Sequence, residues 1–195
     1  MILPIVAYGV PVLRKVGVEI DKDYPQLEQL IANMKETMYN ASGVGIAAPQ
    51  VGVAIRLFII DASPFADDED LSDEDRKALA EFNHVFINAK IIEEKGDEWV
   101  FNEGCLSIPD VREDVFRQEE VTFEYQDENF EKHTKTLNGL TARVFQHEYD
   151  HIEGILFTDK LSTLKKRLIK KKLENISKGK IKIDYRMRFP KAKKK

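Results

Sequence analysis

Apolar residues recur at helical spacing in three segments, which predicts three amphipathic helices. The first covers residues 25–40, where Pro25 suits a first turn and the apolar positions are Leu27, Leu30, Ile31, Met34 and Met38. The second covers about 139–153, with Asn138 as a candidate N-cap and Gly154 at its end. The third, over 162–178, is lysine-rich, begins at Ser162 and has an apolar stripe of Leu164, Leu168, Ile169, Leu173 and Ile176.

β-Branched and aromatic residues predict strands over 53–61, 85–92, 115–125 and 130–137, the last two joined in a hairpin. Strict alternation predicts a terminal strand over 180–189, with one face formed by Ile181, Ile183, Tyr185, Met187 and Phe189. Because no repeat or linker interrupts the chain, we expect one α+β domain over 1–195. Antiparallel or mixed sheets should surround the helix at 139–153, followed by the C-terminal helix and strand.

Residues 62–84 interrupt this pattern with seven acids among positions 67–75. A segment so rich in charge cannot bury much apolar surface. We expect an acidic surface insertion that contains one short helix near 73–82.

Composition narrows the class of protein. Of 195 residues, 43% are apolar and 33% are charged, as in ordinary globular proteins. No apolar run approaches the roughly 20 residues that cross a bilayer, and the N-terminus has no secretory leader pattern. The single cysteine, Cys105, cannot form an internal disulfide, so we expect a cytoplasmic protein without a membrane partner.

Charge divides the chain into an acidic body and a basic end. Residues 1–159 hold 14 Lys and Arg against 32 Asp and Glu, whereas residues 160–195 hold 16 against 2. A basic extension of this kind commonly contacts a polyanion.

The sharpest chemical signal is the sequence from His147 to His151, which reads HEYDH. On a helix, His147 and His151 lie one turn apart on the same face, so both imidazoles can bind one metal ion. Glu148 lies beside that face and can reach a water molecule held by the metal, as a general base does.

A catalytic centre of this type needs a third protein ligand and an open position for water. The two common zinc-protease patterns are not met: Phe157 stands where one has its third histidine, and no suitable downstream glutamate is present. Cys105, in the segment EGCLS, is the best candidate, because its thiolate with two imidazoles leaves one position open.

A third segment, GVGIAAPQ at 43–50, is unspecific alone. In the order GVGIAAPQ, EGCLS and QHEYDH, however, the three segments resemble the motifs of the bacterial peptide deformylases. The similarity extends over about residues 1–165, apart from the acidic insertion.

This resemblance implies an enzyme that removes the formyl group from the N-terminal formyl-methionine of new polypeptides. Its single divalent metal ion would be held by Cys105, His147 and His151; Fe²⁺ is the expected metal in the cell, and Zn²⁺, Ni²⁺ or Co²⁺ are possible. Glu148 would be the base. The Gln50 side chain and the backbone N–H of Leu106 would stabilise charge on the formyl oxygen.

The resemblance also suggests how the peptide binds. An extended peptide would lie along Val44, Gly45 and the Leu106 segment, and Arg112 would meet its backbone. Candidates for the methionine slot are Val44, Leu140, Val144 and the His147 ring. Arg112 could instead form a surface ion pair with Glu113 or Asp114. Some relatives have an aliphatic residue at the position of Arg143. The guanidinium here would need a carboxylate partner such as Glu103 or a path to solvent.

Relatives dock on the ribosome through a C-terminal helix, so we expect ribosome contact here and no specific DNA binding. The candidate contacts are Lys165, Lys166, Arg167, Lys170, Lys171 and Lys172. Two other functions remain open. The chain could be a metallopeptidase that cleaves ordinary peptide bonds, or a non-catalytic ribosome-binding module with a structural metal.

Overall fold

The computed structural model describes residues 1–191, so residues 192–195 of the predicted basic extension lie outside the described part. The helices are α1 (Leu27–Asn40), α2 (Asp73–Ala80), α3 (Gly139–Ile152) and α4 (Thr163–Ser177). The strands are β1 (Ile5–Val6), β2 (Gly45–Ala47), β3 (Leu57–Asp61), β4 (Asn83–Cys105), β5 (Ile108–Gln126), β6 (Lys132–Asn138) and β7 (Met187–Arg188). Within the described residues, no helix is both long and apolar enough to span a membrane.

The main sheet has five strands in the order β2-β3-β4-β5-β6, and every neighbouring pair is antiparallel. A second, two-stranded sheet pairs β1 with β7 in parallel. The expected α+β architecture with an antiparallel sheet is therefore confirmed, and the parallel pair forms a separate sheet instead of making the main sheet mixed. Several strands are nevertheless longer or shorter than the sequence pattern predicted.

Helix α3 lies at the centre because its apolar side packs on the aromatic face of the sheet. Phe145 is fully buried and stacks on Phe123 with ring centroids 3.7 Å apart. Phe58 and Phe86 complete the cluster. This packing fixes the helix against the sheet, and so it fixes the histidine-bearing face of α3 as well.

Helix α1 buries Ile31, Met34 and Met38, as its apolar spacing predicted. It begins at Leu27 rather than Pro25 because Gln26 has a left-handed backbone, with φ of +57°, which no residue of a right-handed helix can adopt. The helix packs on β2, so it supports the strand that enters the candidate site.

The third predicted helix is confirmed as α4, and the Ser162 side chain accepts a hydrogen bond from the Lys165 N–H at 3.3 Å. Ile169, Leu173 and Ile176 are buried. The predicted stripe was too wide, however, since Leu164 and Leu168 are 66% and 70% exposed.

The predicted strand over 180–189 is wrong in extent, because only β7 pairs with another strand. The predicted alternation of buried and exposed residues is nevertheless observed. The odd-numbered residues from 181 to 189 are half-buried, and the even-numbered ones from 182 to 188 are exposed. This alternation shows that one side of the segment contacts the protein, and β7 is the part that pairs as a strand.

The acidic segment is more ordered than a purely solvated excursion. It contains α2, where a short helix was expected, and its Leu79 and Phe82 are buried in the aromatic core. The segment also ends earlier than predicted, because Asn83 and His84 already belong to β4. The acids face solvent while these apolar residues anchor the insertion.

Candidate metal centre

Three separate segments meet at the candidate site. Cys105 ends β4, the two histidines lie on α3, and Gln50 lies in a single 3-10 turn, Ala48–Val51, directly after β2. Because α3 is packed across the sheet, the histidine face meets the end of β4 although Cys105 and His147 are 42 positions apart in the chain.

Cys105, His147 and His151 form a group whose candidate ligand atoms all lie within 4.8 Å of one another. The Cys105 Sγ is 3.3 Å from His151 Nε2. The two imidazole rings are 5.1 Å apart and nearly perpendicular. One sulfur and two nitrogens around a common point suit a divalent transition metal and leave room for a further ligand.

Glu103 orients one of these histidines. Its Oε2 lies 2.9 Å from His147 Nδ1, which leaves the other ring nitrogen of His147 as a candidate metal ligand. Burial alone would raise the pKa of Glu103, but hydrogen bonds from His147 and Arg117 outweigh it and hold the pKa far below its usual range. Glu103 is therefore an anion inside the protein, and it favours a cation in the neighbouring site.

Two buried arginines pair with Glu103. The Arg117 guanidinium donates to both carboxylate oxygens, at 2.7 and 3.0 Å, and to Asp150 at 2.6 Å. Arg143 donates to Glu103 at 3.0 Å and also to the Val115 and Trp99 carbonyls. The expected Glu103 partner of Arg143 is thus confirmed, and the guanidinium is 1% exposed rather than directed to solvent.

Glu148 differs from Glu103 in that no salt bridge of the described residues involves it. It is 4% exposed, and its Oε2 is buried without a hydrogen-bond partner in the described structure. Burial raises its pKa to about 7. Gly45 makes room for it, since a Cβ at that position would lie 2.5 Å from Glu148 Oε1. A buried, unpartnered carboxyl with such a pKa suits proton transfer near neutrality.

The side-chain amide of Gln50 has a defined orientation. Its Oε1 accepts a hydrogen bond from the Ala47 N–H at 2.8 Å, and only the oxygen of an amide can do so. The Nε2 group therefore points the other way, 3.5 Å from the Cys105 sulfur. Gln50 presents a fixed N–H donor beside the candidate ligands.

A cavity of about 500 Å³ opens onto this group of residues. Of the side chains predicted to bind substrate, Val44, Arg112 and Val144 line its wall together with Gly45. Leu140 instead lines an adjoining cavity, and Phe101 borders both. Residues 140, 144 and 147, which were expected to line one slot, therefore border two cavities. Leu140 borders the second cavity, whereas Val144 and His147 border the first.

Arg112 does not form the ion pair considered from its sequence neighbours. Its Nε donates to the Asn102 side chain at 3.0 Å, whereas Glu113 pairs with Lys165 at 3.2 Å. The absence of a Cβ at Gly104 lets the Arg112 side chain cross this strand, because a Cβ there would lie 2.9 Å from Arg112 Nη1. Arg112 therefore stays at the mouth of the cavity.

Sequence reasoning missed the buried network and one cavity residue. Arg117 lies in no motif, and Asp150 lies within HEYDH but was given no role there. Glu103 was named only as a candidate partner of Arg143, and its contact with His147 was not predicted. Tyr185 also lines the cavity. The alternating pattern of 180–189 had placed it on an apolar face, which was the only signal that could have found it.

Comparison with known proteins shows which proteins this chain is similar to. A family model described as polypeptide deformylase matches residues 2–167. A protein named peptide deformylase from Christiangramia forsetii is 70% identical over 100% of this chain and 99% of its own length. Another, from Flavobacterium johnsoniae, is 66% identical with the same coverage. The crystal structure of a peptide deformylase from Legionella pneumophila matches with a TM-score of 0.77 and 36% identity, over 92% of this chain and 98% of that one.

Proposed function

This chain belongs to the polypeptide deformylase family, whose members use a metal to remove the formyl group from N-terminal formyl-methionine, and we propose that Cys105, His147 and His151 hold that metal. The observation that carries the proposal is the convergence of their three ligand atoms within 4.8 Å. The donor set fits: a thiolate with two imidazoles suits divalent transition metals, and Glu103 supplies the partner that a ligating histidine usually has. Among these metals we propose Fe²⁺ in the cell, with Zn²⁺, Ni²⁺ or Co²⁺ able to replace it.

Glu148 is the proposed general base and then the general acid. A bound metal supplies Lewis acidity and makes water easier to deprotonate. Glu148 accepts a proton from the attacking water, whose oxygen forms a bond to the formyl carbon. When the carbon–nitrogen bond breaks, Glu148 returns that proton to the leaving amine, and the products are formate and a free N-terminus. Its unpartnered Oε2 and its pKa of about 7 support both roles.

Negative charge develops on the formyl oxygen during attack, so donors must already face it. We assign this to the Gln50 Nε2 group and the Leu106 N–H. The Ala47 N–H holds Gln50 in the donating orientation before substrate arrives. Such preorganised donors are worth roughly 2.7–4 kcal/mol each in other hydrolases.

The peptide is proposed to bind as an added strand. Strand β2, which contains Gly45, lies at the edge of the main sheet. An extended peptide can therefore pair with the backbone of this edge strand. Val44 and Val144 would contact the methionine side chain, and Arg112 would meet the peptide backbone at the mouth of the cavity. Because Leu140 borders another cavity, we leave it out of the methionine slot.

The decisive experiment compares formylated and unformylated methionyl peptides with protein purified without oxygen, combined with metal analysis. We expect one metal ion per chain, formate release from the first peptide and no cleavage of the second. A Cys105→Ser variant should lose most of its metal and its activity together. Cleavage of the unformylated peptide would instead indicate a metallopeptidase, and bound metal without any hydrolysis would indicate a structural site.

We further propose that the chain acts in the cytoplasm as one catalytic unit and docks on the ribosome through α4. Arg167, Lys170, Lys171 and Lys172 are exposed. Lys165 and Lys166 are engaged within the protein, with Glu113 and with the Asp159 carbonyl, so we reduce the expected phosphate contacts to the other four.

This docking predicts salt-sensitive co-sedimentation with ribosomes. Changing the four exposed basic residues of α4 to glutamine should weaken it. The plot of log affinity against log salt has a negative slope, and its magnitude should decrease by about 0.7 for each phosphate that the helix no longer neutralises. Hydrolysis of a small formylated peptide is the internal control and should be unchanged. Equal ribosome binding by both proteins would exclude α4 as the docking surface.

A further inference from the structure

The turn that follows Cys105 is short, and its residues have no backbone preference that would fix its conformation. Cys105 pairs directly with Ile108, so Leu106 and Ser107 alone connect β4 to β5. Neither residue has a positive φ, whereas the two-residue turns that match the twist of a hairpin require one. The conformation of this turn therefore depends on contacts made from outside it.

Two such contacts hold the turn, and both come from distant parts of the chain. The Tyr8 N–H donates to the Ser107 carbonyl at 2.9 Å. The Tyr185 hydroxyl donates to the Leu106 carbonyl at 2.7 Å, and a carbonyl can only accept. The Leu106 carbonyl belongs to the central peptide of the turn, which is the peptide whose rotation interconverts turn types.

The segment that carries Tyr185 is itself fixed. The N–H groups of Ile5 and Ala7 donate to the carbonyls of Arg186 and Arg188, each at 2.9 Å. Tyr185 and Met187 pack against the same apolar cluster as Leu106. The phenol ring also forms part of the wall of the cavity that contains Cys105 and Glu148. The C-terminal segment thus reaches the site with a backbone that hydrogen bonds hold in place.

We propose that Tyr185 is a positioning residue for deformylation: by holding the Leu106 carbonyl, it fixes the turn that presents the Leu106 N–H to the formyl oxygen. This inference rests on the proposed function. The Leu106 N–H belongs to the preceding peptide, which joins the central peptide at the Leu106 Cα. A turn that shifts once this hydrogen bond is lost therefore moves that N–H away from the formyl oxygen. Tyr185 acts through the turn and takes no part in proton transfer.

The test is Tyr185→Phe, which removes one oxygen and keeps the ring. With a small formylated methionyl peptide we expect kcat to fall about 10-fold, less than the loss of a whole donor, with KM changed less than about twofold. Metal content should match the wild type, and the melting temperature should fall by no more than about 4 °C, as expected for the loss of one hydrogen bond. Amide hydrogen exchange in the 104–108 region should become faster. Tyr24→Phe is the matched control, since Tyr24 packs on the same apolar cluster but borders a different cavity.

The outcomes separate this inference from the proposed function. If the wild type is active and the Tyr185→Phe variant has the same kcat, the positioning role alone is overturned. An equal loss in Tyr24→Phe, a loss explained by missing metal, or unchanged amide exchange in the turn would overturn it as well. A wild-type protein that carries metal and releases no formate would overturn the proposed function itself.

Discussion

Replacing Glu148 by glutamine is expected to lower kcat for a formylated methionyl peptide by about 10²–10⁴-fold, the usual contribution of a general base. Glutamine keeps the shape of the side chain but cannot accept the proton of the attacking water. Nor can it protonate the leaving amine. The same substitution therefore removes both proton transfers from the reaction.

Metal content should survive this change, because Glu148 lies outside the group formed by Cys105, His147 and His151. The fold should survive too, since the buried Glu148 Oε2 has no hydrogen-bond partner that the substitution would remove, and a neutral amide is easier to bury than a carboxylate. We therefore expect the Glu148→Gln protein to be folded, to contain its metal and to be nearly inactive. Formate release and metal analysis on the same sample test this expectation.

Glu153→Gln provides the matched control at the end of the same helix. Its carboxylate pairs with Arg56 at 2.7 Å, away from the cavity, so kcat should stay close to the wild type. If Glu148→Gln retained near-normal turnover, Glu148 would not be the base. If it lost its metal, Glu148 would act as a ligand or as structural support.

Much of the fold could be predicted because its helices have one buried face. The apolar spacing of 25–40 and 162–178 located α1 and α4 to within two residues at either end. Strand β4 could not be predicted in full. Its second half, over 93–104, is mostly exposed on both faces and contains five acids, so no apolar alternation marks it. Pairing with β5, which is a tertiary property, keeps that half extended.

The chemistry of the site was more predictable than its support. His147 and His151 are one helical turn apart, and the need for a third ligand directed attention to Cys105; the described structure places the three together. The role of Arg117 could not be predicted, because an arginine in a strand is normally exposed. Asp150 lies within HEYDH, but no partner was predicted for it. Only the three-dimensional packing of α3 against β5 shows that Arg117 is 5% exposed and bonded to two carboxylates.

That buried network supports the second large prediction. Replacing Glu103 by glutamine should lower the free energy of unfolding by about 3–5 kcal/mol, because it removes the shared anion of two buried guanidinium groups. Arg143 is 1% exposed, and within residues 1–191 its other hydrogen-bond partners are backbone carbonyls. Arg117 would keep Asp150 but lose its bidentate carboxylate partner. Denaturant unfolding measures the change.

The same substitution should weaken metal binding by about 10–100-fold, the usual effect of losing the partner of a ligating histidine. A neutral amide can accept a hydrogen bond from His147 Nδ1, but it carries no charge to favour a cation nearby. Competition with a chelator measures this affinity in samples that remain folded.

Glu113→Gln is the matched control for Glu103→Gln, because Glu113 is its direct cross-strand partner on β5. Glu113 is half-exposed and pairs with Lys165, so its loss should cost less than about 1 kcal/mol and leave metal affinity unchanged. Equal effects of the two substitutions would mean that the charge of the strand pair, and not the buried network, stabilises the site. A Glu103→Gln protein with wild-type stability would show that Asp150 and the backbone carbonyls suffice to hold both arginines.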